Sequence, residues 1–196
     1  MMKELLVALR MTAATLLLTG LAYPLLVTAV AQAAFPWRAN GSVVSEGGQV
    51  KGSELIGQAF ESPAYFQPRP SAAGDGYDAA SSGGSSLGPT SRKLRDRVAA
   101  DVARLRAGNP QAPPEVPADL VTTSASGLDP HLSPAATLWQ VGRVAAARGV
   151  PASEVRALVE ARTEGRTFGL LGEPRVNVLL LNLDLDRRFP QGARRE

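Results

Sequence analysis

The chain has 196 residues, with 21 Lys and Arg against 18 Asp and Glu for a net charge of +3, and it has no cysteine. So even a balance gives nucleic-acid binding little electrostatic footing, and the missing thiols exclude disulfides, thiolate chemistry and zinc sites built on thiolates. With Gly 19 and Pro 15, many turns are predicted rather than long regular elements.

Residues 1–10 carry Lys3 and Arg10, and the run that follows, Met11 to Ala31, is free of charge. As a helix these about 21 residues span ~31 Å, the thickness of a bilayer hydrocarbon core. Two readings compete. The basic start and the Ala-x-Ala pattern at Ala31 and Ala33 fit a cleaved signal peptide. Against this, the apolar run is longer than the ~7 to 15 residues of a signal core, and Phe35 and Trp37 follow where interfacial aromatics belong. A retained transmembrane helix over 11–35 is therefore favoured. Thr12, Thr15, Thr19 and Tyr23 recur at steps of three and four on one face, which suits a partner helix in the membrane. The alternative is that the threonines bond their own preceding carbonyls. Pro24 predicts a kink. Lys3, Arg10 and the amino terminus precede the span and only Arg38 follows closely, so the start is expected to be cytoplasmic and the remainder extracytoplasmic.

Roughly 160 residues remain after the anchor, enough for one domain with a proper core. The expected fold class is α+β: a single N-terminal transmembrane helix, one mixed α/β soluble domain over 36–190, and a disordered basic tail over 191–196. Asn40-Gly41 is a turn signal, Val43 and Val44 begin a strand, Gly47-Gly48 closes a hairpin onto Val50, and Ser53 to Ile56 reads as a further strand. From Glu61 to Gly88 prolines break regular structure, yet Tyr65, Phe66 and Tyr77 give the segment something to bury, so an ordered functional surface is expected. Thr90 to Ala107 reads as a helix capped by Thr90 or Ser91 and stopped by Gly108. Its charged face is an ordinary solvated one.

After the extended Asn109 to Pro117, Leu120 to Thr123 reads as a short strand. Ser133-Pro134 then starts a helix that Gly149 stops, and a second helix follows Pro151 with Ser153 as its cap. Arg175 to Asp186 alternates apolar and other residues in two phases, which predicts a central strand with a bulge near Leu179.

Gly84-Ser85-Ser86-Leu87-Gly88 has the Gly-x-Ser-x-Gly pattern of a nucleophile elbow, with His131 as the one available base and Asp119 or Asp129 to orient it. A strand should precede such an elbow, and a serine-glycine run stands there instead, so a secreted serine hydrolase or binding protein is the second reading. The same loop offers backbone N–H groups to an anion but lacks the lysine of a nucleotide-binding loop. Ala145, Gly149 and Val155 have helix-turn-helix spacing, which is also that of an ordinary helical corner. Asn182, Asp184 and Asp186 would share one strand face, and a solvated face beside Arg187 and Arg188 explains them better than a metal site.

The combination carries more than its parts. Tyr23-Pro24-Leu25-Leu26, Phe35-Pro36-Trp37, Ala39-Asn40-Gly41-Ser42 and Gly52-Ser53-Glu54-Leu55-Ile56-Gly57-Gln58 stand in order along the first half. Tyr65-Phe66, Arg69-Pro70-Ser71-Ala72, Ser82-Gly83-Gly84-Ser85 and Asp119-Leu120-Val121-Thr122 follow. The series closes with Ser124 to Asp129, Ser133-Pro134, Gln140, Arg143-Val144-Ala145, Val176-Asn177 and Leu181-Asn182-Leu183. This series resembles the C subunit of Kdp-type potassium-transporting P-type ATPases nearly end to end, departing at Asp78 and Ser86, where Asn is usual. The resemblance implies a noncatalytic subunit of a four-part pump in the plasma membrane. Its partners would be a channel-like potassium-binding subunit, a P-type ATPase subunit and a small subunit. It further implies a catalytic chaperone that raises affinity for ATP. If ATP is contacted directly, Ser82, Gly83, Gly84, Ser85 and Ser86 are the candidates.

Overall fold

In the computed structural model the described residues are 1–190; the tail over 191–196 lies outside them. They divide into two compact units, Met1–Lys51 and Gly52 onward.

The first unit opens with α1 (Met2–Leu17) and α2 (Tyr23–Ala34), joined by a π turn over Leu18–Ala22 into one continuous helix, Met2–Ala34, that is long and apolar enough to cross a membrane. Helix formation thus starts well before the uncharged run. Pro24 explains the π turn: it has no N–H to donate to Gly20 and its ring crowds that carbonyl, so the turn before it widens. No residue of this helix is buried. Phe35 leaves helical geometry, and the short α3 (Pro36–Ala39) follows. The Trp37 indole N–H donates to Val43 O at 3.1 Å, and the Gln32 and Asn40 amides pair at 3.2 Å. Strands β1 (Val43–Glu46) and β2 (Gln49–Ser53) form the expected hairpin over Gly47-Gly48. The expected strand over Ser53 to Ile56 is absent, because the Ser53 hydroxyl accepts the Leu55 N–H at 3.1 Å and turns the chain.

The second unit contains α4 (Arg92–Gly108), α5 (Pro134–Arg148), α6 (Ala152–Ala161) and α7 (Val178–Arg188). A small antiparallel sheet has the order β3 (His131–Leu132), β5 (Arg175–Asn177), β4 (Thr163–Glu164), with His131 opposite Asn177 and Thr163 opposite Val176. Ser91 caps α4 by accepting from Leu94 N, and Ser133 caps α5 by accepting from Ala136 N at 3.2 Å with Pro134 in the first turn. Gly149 ends α5 in the left-handed conformation, φ 65°. For α6 the cap is Pro151, not Ser153, since the Glu154 and Val155 N–H groups already reach Pro151 O.

Two predicted strands differ in the fold. Leu120 to Thr123 forms no strand: Ala118–Leu120 is a 3-10 turn, and the Thr122 hydroxyl closes onto Ala118 O at 2.8 Å. The long strand over Arg175 to Asp186 is reduced to the three residues of β5. Asn177 then caps α7, its side chain accepting from Leu180 N at 3.1 Å. The run Val178 to Asp186 fits both periods. Val178, Leu181, Asn182 and Leu185 recur at helical steps, all are buried, and leucine favours helix.

The core lies where α5, α6 and α7 meet the sheet. Ala136, Val144, Val155, Val176, Leu181 and Leu185 are fully buried there, beside Trp139 and Phe66. Each such aliphatic or aromatic side chain larger than alanine contributes about 1.5–3 kcal/mol by leaving water.

Candidate functional site

Residues 61–88 hold no helix or strand, yet the stretch beside the core is tied down atom by atom. Five successive carbonyls, from Pro63 to Gln67, each accept from a side chain on α5 or α7. Arg143 donates to Pro63 O and Tyr65 O, and Arg148 to Ala64 O at 2.7 Å. The buried Asn182 amide bonds both Phe66 N and Phe66 O at 2.9 Å, and Gln140 does the same for Gln67 at 2.9 and 3.0 Å. Two side-chain amides therefore act as a neighbouring strand would, satisfying the backbone without a sheet. Arg148 also pairs with Asp186 at 2.9 Å and lies 4.9 Å over the Tyr65 ring, whose hydroxyl donates to Asp186 at 2.9 Å. Burial holds Arg143 down at about 10, and its neighbours here are carbonyls and the Gln140 amide oxygen.

Further along, the loop meets the turn over 124–127. Arg69 pairs with Asp129 at 2.9 Å and donates to Thr122, while Ser71 donates to Gly127 O at 2.7 Å and accepts from Ala73 and Tyr77 N–H groups. The Tyr77 hydroxyl donates to Arg69 O at 2.7 Å, and burial pushes it up to about 12, so the phenol stays protonated. Burial raises the Asp129 carboxyl, but the His131 hydrogen bonds and the Arg69 guanidinium outweigh it and hold the group below the usual carboxylate range. A Cβ at Gly127 would lie 2.6 Å from Gly83 O and 2.7 Å from Ala73 N, and φ there is 68°, so only glycine fits this crossing.

The serine-glycine loop rests on the same turn. Ser82 Oγ and Gly83 N both donate to Ser126 O at 2.9 Å. Those two donors are engaged. Among the described residues Gly84, Ser85 and Ser86 make no hydrogen bond, and Ser86 is exposed in a left-handed conformation, φ 51°. No hydrogen bond joins Ser86 to His131, no strand precedes the loop, and Asp129 is shared between His131 at 3.5 Å and Arg69. The nucleophile-elbow reading is therefore corrected to a loop staple.

The other motifs resolve as packing. Val155 is fully buried at the α5–α6 corner, which is how an ordinary helical corner packs. Asp184 and Asp186 do not share a strand face: Asp184 pairs with Arg162 and Arg187, and Asp186 with Arg148. Among the described residues no acidic or histidine cluster could hold a metal. On the apolar helix, Thr19 donates to Thr15 O at 2.7 Å, the self-satisfied arrangement for that one residue, and Tyr23 is exposed. Sequence reasoning missed the clamps Gln140, Arg143, Arg148 and Asn182, because polar residues inside apolar helical stripes read as interruptions. It also passed over Phe168, Leu170 and Leu171, set among glycines between β4 and β5.

Comparison with known proteins covers the apolar helix and the folded unit together. A family model described as "K+-transporting ATPase, c chain" matches residues 5–187. The potassium-transporting ATPase KdpC subunit of Myxococcus xanthus is 64% identical over 190 residues, covering 96% of this chain and 90% of the relative. That of Rhodospirillum rubrum is 56% identical, covering 97% and 98%. That of Koribacter versatilis is 54% identical, covering 97% of each. With the match spanning both the apolar helix and the folded unit behind it, the chain belongs to the KdpC family of potassium-transporting ATPase subunits.

Proposed function

We propose that this chain is a noncatalytic accessory subunit of an ATP-driven potassium uptake pump in the plasma membrane, and that it acts there as a catalytic chaperone raising the ATP affinity of the ATPase subunit. The observation that carries the reading is the unburied apolar helix Met2–Ala34 on a chain of this family. A helix of that kind is stable only in lipid or against other helices. Its partners are then a channel-like potassium-binding subunit, a P-type ATPase subunit and a small subunit. The face bearing Thr12, Thr15, Thr19 and Tyr23 meets the nearest of their helices.

With the basic residues ahead of the span, the amino terminus is cytoplasmic and the folded unit external. An external unit cannot meet cytoplasmic ATP. Its effect on ATP is then a coupling free energy carried through the assembly, and it must be reciprocal: ATP on the ATPase subunit tightens this chain's hold on its partners by the same factor. With Ser82 Oγ and Gly83 N already donating to Ser126 O, a direct contact would fall mainly to Gly84, Ser85 and Ser86.

The decisive measurement is ATP affinity of the purified pump with and without this chain, repeated with Ser85→Ala and Ser86→Ala together. Coupling through the assembly predicts weaker ATP binding when the chain is removed and no change with the double substitution. If removing the chain leaves ATP affinity unaltered, the chaperone reading fails.

A further inference from the structure

The hairpin between β4 and β5 ends in Phe168, Leu170 and Leu171, which are 89%, 78% and 64% exposed. A lone exposed leucine is ordinary, but three large apolar side chains within four residues at one tip are not. The tip is ordered by its own bonds. Thr167 and Leu171 form an antiparallel bridge, with Thr167 N donating to Leu171 O at 2.9 Å and Leu171 N to Thr167 O at 3.0 Å. Gly169 N also reaches Arg166 O at 3.0 Å, and Phe168 is held at φ 54°, outside the usual range for an aromatic residue.

Below the tip the charges cancel in pairs. Arg166 holds both Glu173 oxygens at 2.7 Å, and Arg175 holds Glu164 at 3.1 Å. A neutral rim gives no attraction to anionic headgroups, which membrane-binding surfaces use to supplement a small apolar area. Size excludes a second free copy. Three side chains of this kind bury on the order of 500 Å², short of the ~800 Å² per partner of a self-sufficient interface. Such an area suffices where the partner is already held close, as two subunits in one membrane are.

We propose that Phe168, Leu170 and Leu171 form a preorganised knob that seats in an uncharged apolar pocket on another membrane-held subunit of the same potassium-transporting assembly. The inference rests on the accessory-subunit reading above and adds the contact surface to it. Because the tip backbone is already hydrogen-bonded before contact, less backbone ordering entropy is lost on seating.

A photoreactive benzoylphenylalanine placed at Phe168, with Lys93 as the control position, tests this in membranes containing the whole assembly. Mass spectrometry is expected to find an adduct at position 168 with one subunit of the assembly and none at position 93. Adducts confined to lipid or to a second copy of this chain, or none while the subunits still co-purify, would overturn the proposal. If the unsubstituted chain fails to co-purify with any subunit, the accessory-subunit reading falls first. The double variant Leu170→Ser, Leu171→Ser should leave the thermal unfolding midpoint unchanged, since both side chains are exposed, and release the chain from the purified assembly about tenfold faster. An unchanged release rate would equally overturn the proposal.

Discussion

At the scale of single residues, the loop over 63–67 depends on a few side-chain clamps. Asn182 is 1% exposed and satisfies both backbone groups of Phe66. Asn182→Ala orphans a buried donor and a buried acceptor together, so unfolding of the full chain in detergent should be easier by on the order of 3 kcal/mol. Asp129 gives a pH signature. Its folded-state pKa is depressed, so its stabilisation is complete above the unfolded value of about 3.9 and is lost as pH falls through the lower folded value. Asp129→Asn should flatten that acid limb of a stability-against-pH curve and leave neutral-pH stability lower by about 1–3 kcal/mol. None of this was legible beforehand. A buried Asn at a helical step looks the same in sequence whether it faces solvent, a metal or another segment's backbone, and the partner lies more than a hundred residues away.

At the scale of elements, local chemistry and sequence agreed at the serine caps of α4 and α5 and at the glycine turns. Ser133-Pro134 and Gly149 bound α5 as their side-chain and backbone preferences require, and Gly47-Gly48 closes the first hairpin. Removing the cap with Ser133→Ala should cost about 1 kcal/mol, read from the thermal or urea unfolding midpoint. The longest misread element was α7. Its alternating leucines satisfy a strand period, but Asn177 supplies a helix cap and Val178, Leu181 and Leu185 a helical stripe. Fully buried Leu185 makes this checkable: Leu185→Ala should destabilise by about 2–5 kcal/mol, whereas exposed Arg188→Ala in the last turn should fall within about half a kcal/mol of the parent.

At the scale of the whole molecule, one long apolar helix and one α+β unit answer to different solvents. If the helix is a retained span, mass spectrometry of the mature protein will give an intact amino terminus, and release after Ala33 would return the secreted reading. Protease cutting near Arg92 in sealed vesicles should occur only from the side opposite the cytoplasm. Cutting from the cytoplasmic side alone would reverse the orientation and readmit direct contact with ATP.

The sequence by itself determined the apolar span, the first hairpin, the serine-capped helices α4 and α5 and the family. These are local properties of charge-free length, cap chemistry and residue order, which need no distant partner. Tertiary structure alone decided that the run after Asn177 is a helix and that Asn182 and Gln140 stand in for a missing strand. It also decided that the serine-glycine loop is stapled to Ser126 and that the charges beneath Phe168 cancel. The Asn182, Gln140 and Ser126 contacts join groups 44 to 116 residues apart, which sequence spacing does not encode. And α7 is a helix because its stripe is buried against the core, a choice its two apolar periods leave open.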